Sequence, residues 1–145
     1  MNDSEYVPFD LSQLVNQTSV FIIPNGYFIR NDVTSFVISN HSELKQIVIG
    51  NNCFGKVRML ELNGLSELES VVIGQSSFRI SSSERSDGSC RIVNCPKLNS
   101  IQIGYRSFSD YHSFELSNLP SLQSIDIDEY CFYYASSFSL TGLID

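Results

Sequence analysis

The side chains with the most reactive chemistry in this chain are four cysteines and two histidines, and their positions do not form a catalytic set. His41 and His112 stand beside serines at turn positions, and no pattern brings a serine, a histidine and an aspartate together. The chain has no C-x-x-C pair and no glycine motif that cradles phosphate. We therefore expect a non-enzymatic protein with no catalytic residues, no metal and no cofactor.

The cysteines are expected to be unpaired. Cys90 and Cys95 occupy positions that other repeats fill with phenylalanine or leucine, so they should lie inside as small apolar side chains. Cys53 and Cys131 occupy equivalent positions three repeats apart, which is too far for a disulfide bond. Free thiols of this kind are typical of a reducing compartment.

An acidic cluster near the C-terminus is the remaining candidate for chemistry. Asp126 and Asp128 are two residues apart on a predicted strand and should face the same way, with Glu129 beside them. Calcium needs about six or more oxygen ligands, and this cluster supplies only part of that set. Calcium binding is therefore a minor alternative.

The elements that position these side chains follow from a repeated phrase. The phrase consists of a leucine, two further residues, and two aliphatic residues that are separated by one position. It begins at Leu44, Leu68, Leu98 and Leu122. Their spacing is regular apart from one longer interval between Leu68 and Leu98. A repeat of this period predicts a solenoid, in which each turn of the chain, here called a rung, packs only on its neighbours.

Each rung is predicted to contain two short strands. The Ile-x-Ile pair has a period of two, so both side chains point to one face, and in three repeats a glycine ends the strand where the backbone must bend. A second alternating phrase closes at Asn or Gly, which tolerate a left-handed corner: Asn40, Gly64, Asn94, Asn118 and Gly142. We predict a mainly β, right-handed, leucine-rich-repeat-like solenoid of about five turns with two parallel sheets.

The same pattern predicts the core. Four columns of equivalent residues should face inward, one rung above another. They are Ile47, Val71, Ile101 and Ile125; Ile49, Ile73, Ile103 and Ile127; Phe54, Phe78, Phe108 and Phe132; and, on the opposite wall, Phe36, Leu60, Cys90, Phe114 and Phe138.

Two segments depart from the repeat. Residues 1–18 form a predicted N-terminal cap segment, in which Asp10 could begin a short helix over Leu11 to Gln17, and the solenoid occupies 19–145. The longer interval holds a polar, serine-rich stretch at 79–89, which we predict to be an insertion loop. Such a loop is either a tolerated insertion or a contact loop for a partner.

The outward face of the first strands changes character along the coil. Ile22, Val48 and Val72 form an apolar stripe, covered by the N-terminal segment or offered to a partner. Tyrosine and arginine, which are enriched in interface hot spots, appear at the other end. The predicted partner-binding residues on this concave face are Gln102, Tyr105, Arg106, Asp126, Asp128, Glu129 and Tyr130. The alternative is a solvated strand face with ordinary cross-strand pairing.

The phrase from Leu44 to Phe54 resembles the L-x-x-L-x-L-x-x-N-x-L segment of leucine-rich repeat proteins. Asn52 takes the asparagine position, but Ser76, Arg106 and Tyr130 replace it in later repeats. The combination I-G-x-x-[SC]-F is similar to the BspA-like subclass of bacterial surface proteins and parasitic protists. Over residues 19–143 the resemblance implies a curved solenoid and, by analogy, adhesion or protein binding.

Charge and hydropathy limit the partners. The net charge is −7 and the nine basic residues are scattered, so nucleic acid and anionic membranes are disfavoured. No apolar run suits a membrane span, and the first residues lack a signal-peptide pattern. The free thiols and this start favour an intracellular location, whereas the resemblance points to a cell surface. We expect a protein partner, or alternatively self-association through the C-terminal rung.

Overall fold

The computed structural model describes residues 19–27 and 33–143, and it confirms a mainly β solenoid of five turns with two parallel sheets. The first sheet contains β1 (Val20–Ile23), β3 (Gln46–Ile49), β5 (Ser70–Ile73), β7 (Ser100–Ile103) and β9 (Ser124–Ile127). The second contains β2 (Ser35–Ser39), β4 (Met59–Asn63), β6 (Ser89–Val93), β8 (Ser113–Ser117) and β10 (Ser137–Thr141). Because consecutive strands alternate between the sheets, each pair of strands forms one rung.

Helix is almost absent from the described residues. A 3-10 helix at Ser82–Asp87 lies within the predicted insertion, and β6 already begins at Ser89. No helix in 19–27 or 33–143 has the length and apolar character that crossing a membrane requires. The predicted cap segment 1–18, including the helix from Leu11 to Gln17, lies outside the described residues.

The strand register confirms the predicted inward columns. Ile47 pairs with Val71, Val71 with Ile101, and Ile101 with Ile125. Inward and outward positions alternate between buried and more exposed along the inner strands, as the period of two requires. A slip of one residue would turn every isoleucine of a strand to the solvent, so the burial of these side chains holds the register.

The phenylalanine column forms a continuous stack through the core. The ring centroids of Phe54 and Phe78 are 5.1 Å apart, those of Phe78 and Phe108 are 4.7 Å apart, and those of Phe108 and Phe132 are 5.0 Å apart. Tyr111 packs edge-on against Phe108, and its hydroxyl donates a hydrogen bond to the carbonyl of Val57 at 2.6 Å. Burial raises the pKa of the Tyr111 phenol well above its usual value, so this hydroxyl stays a donor.

The last rung differs from the predicted core. Phe138 and Ile125 occupy inward columns, but they are 57% and 41% exposed. The prediction that these two side chains lie inside was wrong because β9 and β10 are the edge strands of their sheets. Phe132 keeps the Phe stack buried in this rung, at 4% exposure.

The corners after the second strands confirm the predicted left-handed backbone. Asn40, Gly64, Asn94, Asn118 and Gly142 all have φ between 53° and 72°. The side chains of three residues also form a short amide ladder here, since Asn118 donates to Asn94 at 2.9 Å and Asn94 donates to Asn63 at 3.0 Å.

The glycines directly follow the first strands of three rungs, as predicted, and the structure shows a further reason for them. A Cβ on Gly104 would lie 2.7 Å from the carbonyl carbon of Gly74, and one on Gly74 would lie 2.8 Å from that of Gly50. These positions therefore need glycine because successive rungs stack too closely for a side chain. The positive φ angles fall two and four residues later, as at Asn52 and Phe54 (both 58°).

A ladder of serine and cysteine side chains connects these stacked corners. The Ser77 hydroxyl donates to the carbonyl of Gly50 at 2.7 Å, and the Ser107 hydroxyl donates to that of Gly74 at 2.6 Å. Each serine oxygen also accepts a backbone N–H of the preceding rung, from Cys53 and from Ser77 respectively. The thiol of Cys131 continues the ladder by donating to the carbonyl of Gly104 at 3.0 Å. The ladder takes the place of an asparagine ladder and satisfies buried backbone groups between rungs.

Candidate functional site

The outward side of the first sheet carries the predicted change from apolar to polar. Ile22 pairs with Val48, Val48 with Val72, Val72 with Gln102, and Gln102 with Asp126. Ile22 is 60% exposed, and Val48 and Val72 are partly buried. The five residues therefore form a single outward row whose polar end lies on β7 and β9.

Beyond the ends of β7 and β9, the structure brings three predicted partner-binding residues into contact. The rings of Tyr105 and Tyr130 meet edge to face with centroids 5.6 Å apart. The guanidinium carbon of Arg106 lies 5.3 Å from the Tyr105 centroid and 5.5 Å from the Tyr130 centroid. Arg106 and Tyr130 are exposed, and cation–π attraction favours this arrangement of the three side chains.

The acidic residues are arranged differently from the prediction. Asp126 is on β9, but Asp128 lies one residue beyond the end of that strand. The Asp128 carboxylate accepts the backbone N–H of Glu129 at 2.7 Å, so it stabilises the turn. Within 19–27 and 33–143, no group of three or more His, Cys, Asp or Glu side chains is placed to hold a metal ion.

The corners of three successive rungs enclose a pocket of about 410 Å³. The insertion supplies Arg79, Ser82 and Arg85; the corner after β7 supplies Arg106, Ser109 and Asp110; and the corner after β9 supplies Tyr130, Tyr133 and Tyr134. The pocket therefore exists because the insertion of one rung folds over the corners of the next two. We call it the arginine–tyrosine pocket.

Arg85 fixes the insertion onto the following rungs. Its Nε and Nη2 both donate to one carboxylate oxygen of Asp110, at 3.0 and 2.6 Å. Its guanidinium carbon also lies 3.5 Å from the centroid of the Tyr134 ring. Asp110 accepts a further hydrogen bond from the Ser109 hydroxyl at 3.3 Å. This wall of the pocket is held by charge-assisted hydrogen bonds and by stacking.

The other two arginines of the pocket, Arg79 and Arg106, differ from Arg85 in their ionic contacts. In the part of the chain that the structure describes, neither guanidinium lies within 4.0 Å of a carboxylate oxygen. The nearby acids of the insertion, Glu84 and Asp87, are directed to Arg58 at 3.9 and 3.8 Å. Both arginines are exposed and available to an anion from outside.

Sequence reasoning found part of this site. Of the seven predicted partner-binding residues, Arg106 and Tyr130 line the pocket, and Tyr105 contacts both from outside it. Gln102, Asp126, Asp128 and Glu129 do not line it. Sequence reasoning missed the other seven lining residues, which are Arg79, Ser82, Arg85, Ser109, Asp110, Tyr133 and Tyr134. Two arginines within the insertion and a tyrosine pair in the equivalent corner of a later rung were the available signals.

The remaining reactive side chains lie in the scaffold. All four cysteines are free, and Cys90 and Cys95 are buried as predicted. Burial raises the pKa of the Cys90 and Cys95 thiols, and it raises that of Cys131 to about 11. His41 accepts the backbone N–H groups of Glu43 and Leu44, each at 3.2 Å, so it closes a turn. Protonated thiols are poor nucleophiles, which fits packing and donor roles.

Comparisons of the chain with protein-family models, with curated proteins and with solved structures found no match. The leucine-rich repeat resemblance, including its BspA-like form, therefore stays a prediction.

Proposed function

We propose that this protein is a non-enzymatic binding module that engages a partner protein through the exposed corners after β7 and β9. The observation that carries the proposal is the cluster of Tyr105, Arg106 and Tyr130, whose rings and guanidinium lie within 5.3–5.6 Å of one another. Tyrosine and arginine are the residue types that most often dominate interface energies. Because these side chains already contact one another, they lose less conformational freedom on binding than isolated ones would.

The rigid scaffold supports the same proposal. The cluster stands on backbone that is fixed by the Phe stack and by the serine and cysteine ladder. Loops on a rigid repeat scaffold are common sites of recognition. Membership of the leucine-rich repeat proteins, in their BspA-like form, is part of this proposal, and it adds adhesion as the biological setting.

Affinity capture from the source cell tests the proposal. We expect the wild-type chain to retain a specific protein, and Tyr105→Ala combined with Tyr130→Ala to weaken its binding by at least about 30-fold, the effect of a hot spot worth about 2 kcal/mol. Met59→Ala, at an exposed position that begins β4, is the matched control and should bind normally. Equal capture by the wild-type chain and the double variant would place the interface elsewhere.

A second candidate function is self-association through the C-terminal rung. Phe138 and Leu140 are 57% and 54% exposed on β10, which is an edge strand of the second sheet. Apolar side chains beside unpaired strand groups can be covered by a second copy of the chain. The repeat scaffold would then be an assembly unit with passive faces.

Light scattering separates the two functions. Under the second candidate the wild-type chain elutes as a dimer or larger species, and Leu140→Glu combined with Leu143→Glu converts it to a monomer. Under the first, the same substitutions leave partner capture unchanged. A wild-type chain that remains monomeric at high concentration would contradict the second candidate.

A further inference from the structure

The arginine–tyrosine pocket concentrates positive charge on an acidic protein. The chain has a net charge of −7 and nine basic residues, yet three arginines line this pocket. Among the described residues that line the pocket there is one carboxylate, Asp110, and it is paired with Arg85. Three guanidinium groups against one carboxylate leave two positive charges, those of Arg79 and Arg106, without a carboxylate partner in the part of the chain that the structure describes.

The neighbouring acids do not remove this excess. Glu84 and Asp87 are directed to Arg58, and the Asp128 carboxylate holds the backbone N–H of Glu129. The contact between Arg106 and Glu129 is a backbone bond, from the Arg106 N–H to the Glu129 carbonyl at 3.1 Å, and it does not involve the guanidinium. Two cations that line the same pocket repel each other, and an anion bound in the pocket would reduce that repulsion.

The charge selects the kind of anion. A carboxylate carries one negative charge, whereas a phosphate monoester carries about −1.5 to −2 near pH 7 and offers three acceptor oxygens. Guanidinium groups bind such oxygens in a bidentate manner. The hydroxyls of Ser82 and the lining tyrosines add neutral donors beside the arginines. The pocket therefore matches a dianion better than a monoanion.

The tyrosines of the pocket indicate which organic group is attached to the phosphate. Tyr130 and Tyr133 have ring centroids 5.4 Å apart, and Tyr133 meets Tyr134 edge-on at 4.9 Å. These rings form an aromatic wall next to the arginines, and a planar ring can pack on it. A volume of about 410 Å³ lies within the range of pockets that hold small organic ligands and leaves room for more than a phosphate group.

We propose that the arginine–tyrosine pocket binds an aryl phosphate monoester, with Arg79 and Arg106 contacting the phosphate and the tyrosine wall contacting the ring. Arg85 and Asp110 are positioning residues that hold the insertion in place. The aryl phosphate could belong to a phosphorylated tyrosine of the partner protein, and that source is the one we prefer. Only this choice of source rests on the proposed function.

Titration of the full chain with phenyl phosphate, followed by calorimetry and by the arginine Nε–H resonances in NMR, tests the proposal. We expect saturable binding with shifts of the Arg79 and Arg106 signals. Benzoate, a monoanion with the same ring, and inorganic phosphate, which has no ring, should each bind at least tenfold more weakly. Absence of saturable phenyl phosphate binding, or equal binding of benzoate, would overturn the proposal.

Variants that each remove one positive charge distinguish specific binding in the pocket from nonspecific electrostatic attraction. Arg79→Gln and Arg106→Gln should each weaken phenyl phosphate binding at least tenfold, while Lys97→Gln, which removes one exposed charge on another surface, should leave it unchanged. All three positions are outside the core, and an unchanged circular dichroism spectrum would verify folding. Equal losses in all three variants would show nonspecific attraction and overturn the site.

Two further comparisons identify which molecule carries the aryl phosphate and separate this inference from the proposed function. If a phosphotyrosine peptide binds at least as tightly as phenyl phosphate, the ligand is a phosphorylated protein. If the peptide does not bind, the ligand is a free aryl phosphate. A chain that captures its partner but does not bind phenyl phosphate refutes this inference alone. A chain that binds phenyl phosphate through the arginines but captures no protein refutes the proposed function alone.

Discussion

Ser107 offers the sharpest test of how the rungs are joined. Its side chain is fully buried, and its hydroxyl donates to the Gly74 carbonyl at 2.6 Å while its oxygen accepts the Ser77 N–H at 3.0 Å. Ser107→Ala removes both bonds without creating a large cavity. The Ser77 N–H is then buried without a partner, which costs about 1–3 kcal/mol, and the lost bond to Gly74 adds about 0.5–1.5 kcal/mol. We expect the free energy of unfolding to fall by about 2–4 kcal/mol.

Urea unfolding, followed in parallel by far-ultraviolet circular dichroism and by tyrosine fluorescence, measures this loss. Ser107→Cys is the informative partner variant, because a thiol donates at the equivalent position in the last rung. Sulfur is a weak acceptor, so the Ser77 N–H would still lose its bond, and we expect a loss of about 1–2 kcal/mol.

Ser139→Ala, on the exposed side of β10, is the control and should change stability by less than about 0.5 kcal/mol. A loss below about 0.5 kcal/mol in Ser107→Ala as well would refute the reasoning that this ladder satisfies buried groups.

Three other predictions follow from the same scaffold. Gly104→Ala should cost about 3 kcal/mol or more in urea unfolding, because its Cβ would lie 2.7 Å from the backbone of the preceding rung. Gly26→Ala should cost about 1 kcal/mol, because its Cβ would meet none of the described residues within 4 Å but its φ is +79°. Similar losses at both sites would contradict the stacking explanation. The pKa of the Cys131 thiol is raised from 9.0 to about 11, so the folded state favours the neutral thiol. The free energy of unfolding of the wild type, relative to that of Cys131→Ser, should therefore be constant below pH 9 and fall towards pH 11. A difference that stays the same from about pH 8 to about pH 11 would refute this prediction. Arg91→Met removes the hydrogen bonds to Glu61 and Glu115 at 3.0 and 2.8 Å, and it should lower the free energy of unfolding by about 1 kcal/mol at low salt. This loss should be smaller in 1 M salt, because salt screens ion pairs. An equal loss at low and high salt would show that the effect comes from packing.

The fold was predictable because its main determinant is periodic. The Ile-x-Ile pair fixes which face of each strand is buried, and its recurrence fixes which strands become neighbours, as the pairing of Ile47 with Val71 illustrates. The left-handed corners at Asn40 and Gly64 were predictable for the same reason, because the residue types that tolerate positive φ recur at one position.

The role of the glycine column was not predictable from local preferences. Glycine is usually explained by its own dihedral angles, but Gly74 and Gly104 are required by the distance between rungs, which appears only when the coils are stacked. The serine and cysteine ladder was missed for a related reason. Ser77 and Ser107 resemble ordinary polar turn residues until the carbonyl of the preceding rung is placed beside each hydroxyl.

Only a small part of the candidate site was predictable, since two of its nine lining residues were named from the sequence. Arg106 and Tyr130 occupy equivalent positions of adjacent rungs in the repeat register, so their proximity could be derived. The path of the insertion has no repeat to guide it, and Arg79 and Arg85 could not be placed until the fold showed the contact of Arg85 with Asp110 and Tyr134. Insertions break the symmetry on which the rest of the prediction depends.

Scalar couplings through backbone hydrogen bonds, measured by NMR, test the stacked arrangement of rungs most directly. The N–H groups of Gly50, Gly74 and Gly104 should each couple to the carbonyl of the isoleucine that ends the preceding first-sheet strand: Ile23, Ile49 and Ile73, each at an N···O distance of 2.8 Å. Observation of these three couplings is the predicted result. A coupling from any of these glycines to a carbonyl on a non-adjacent strand would contradict the solenoid and, with it, the pocket that its corners form.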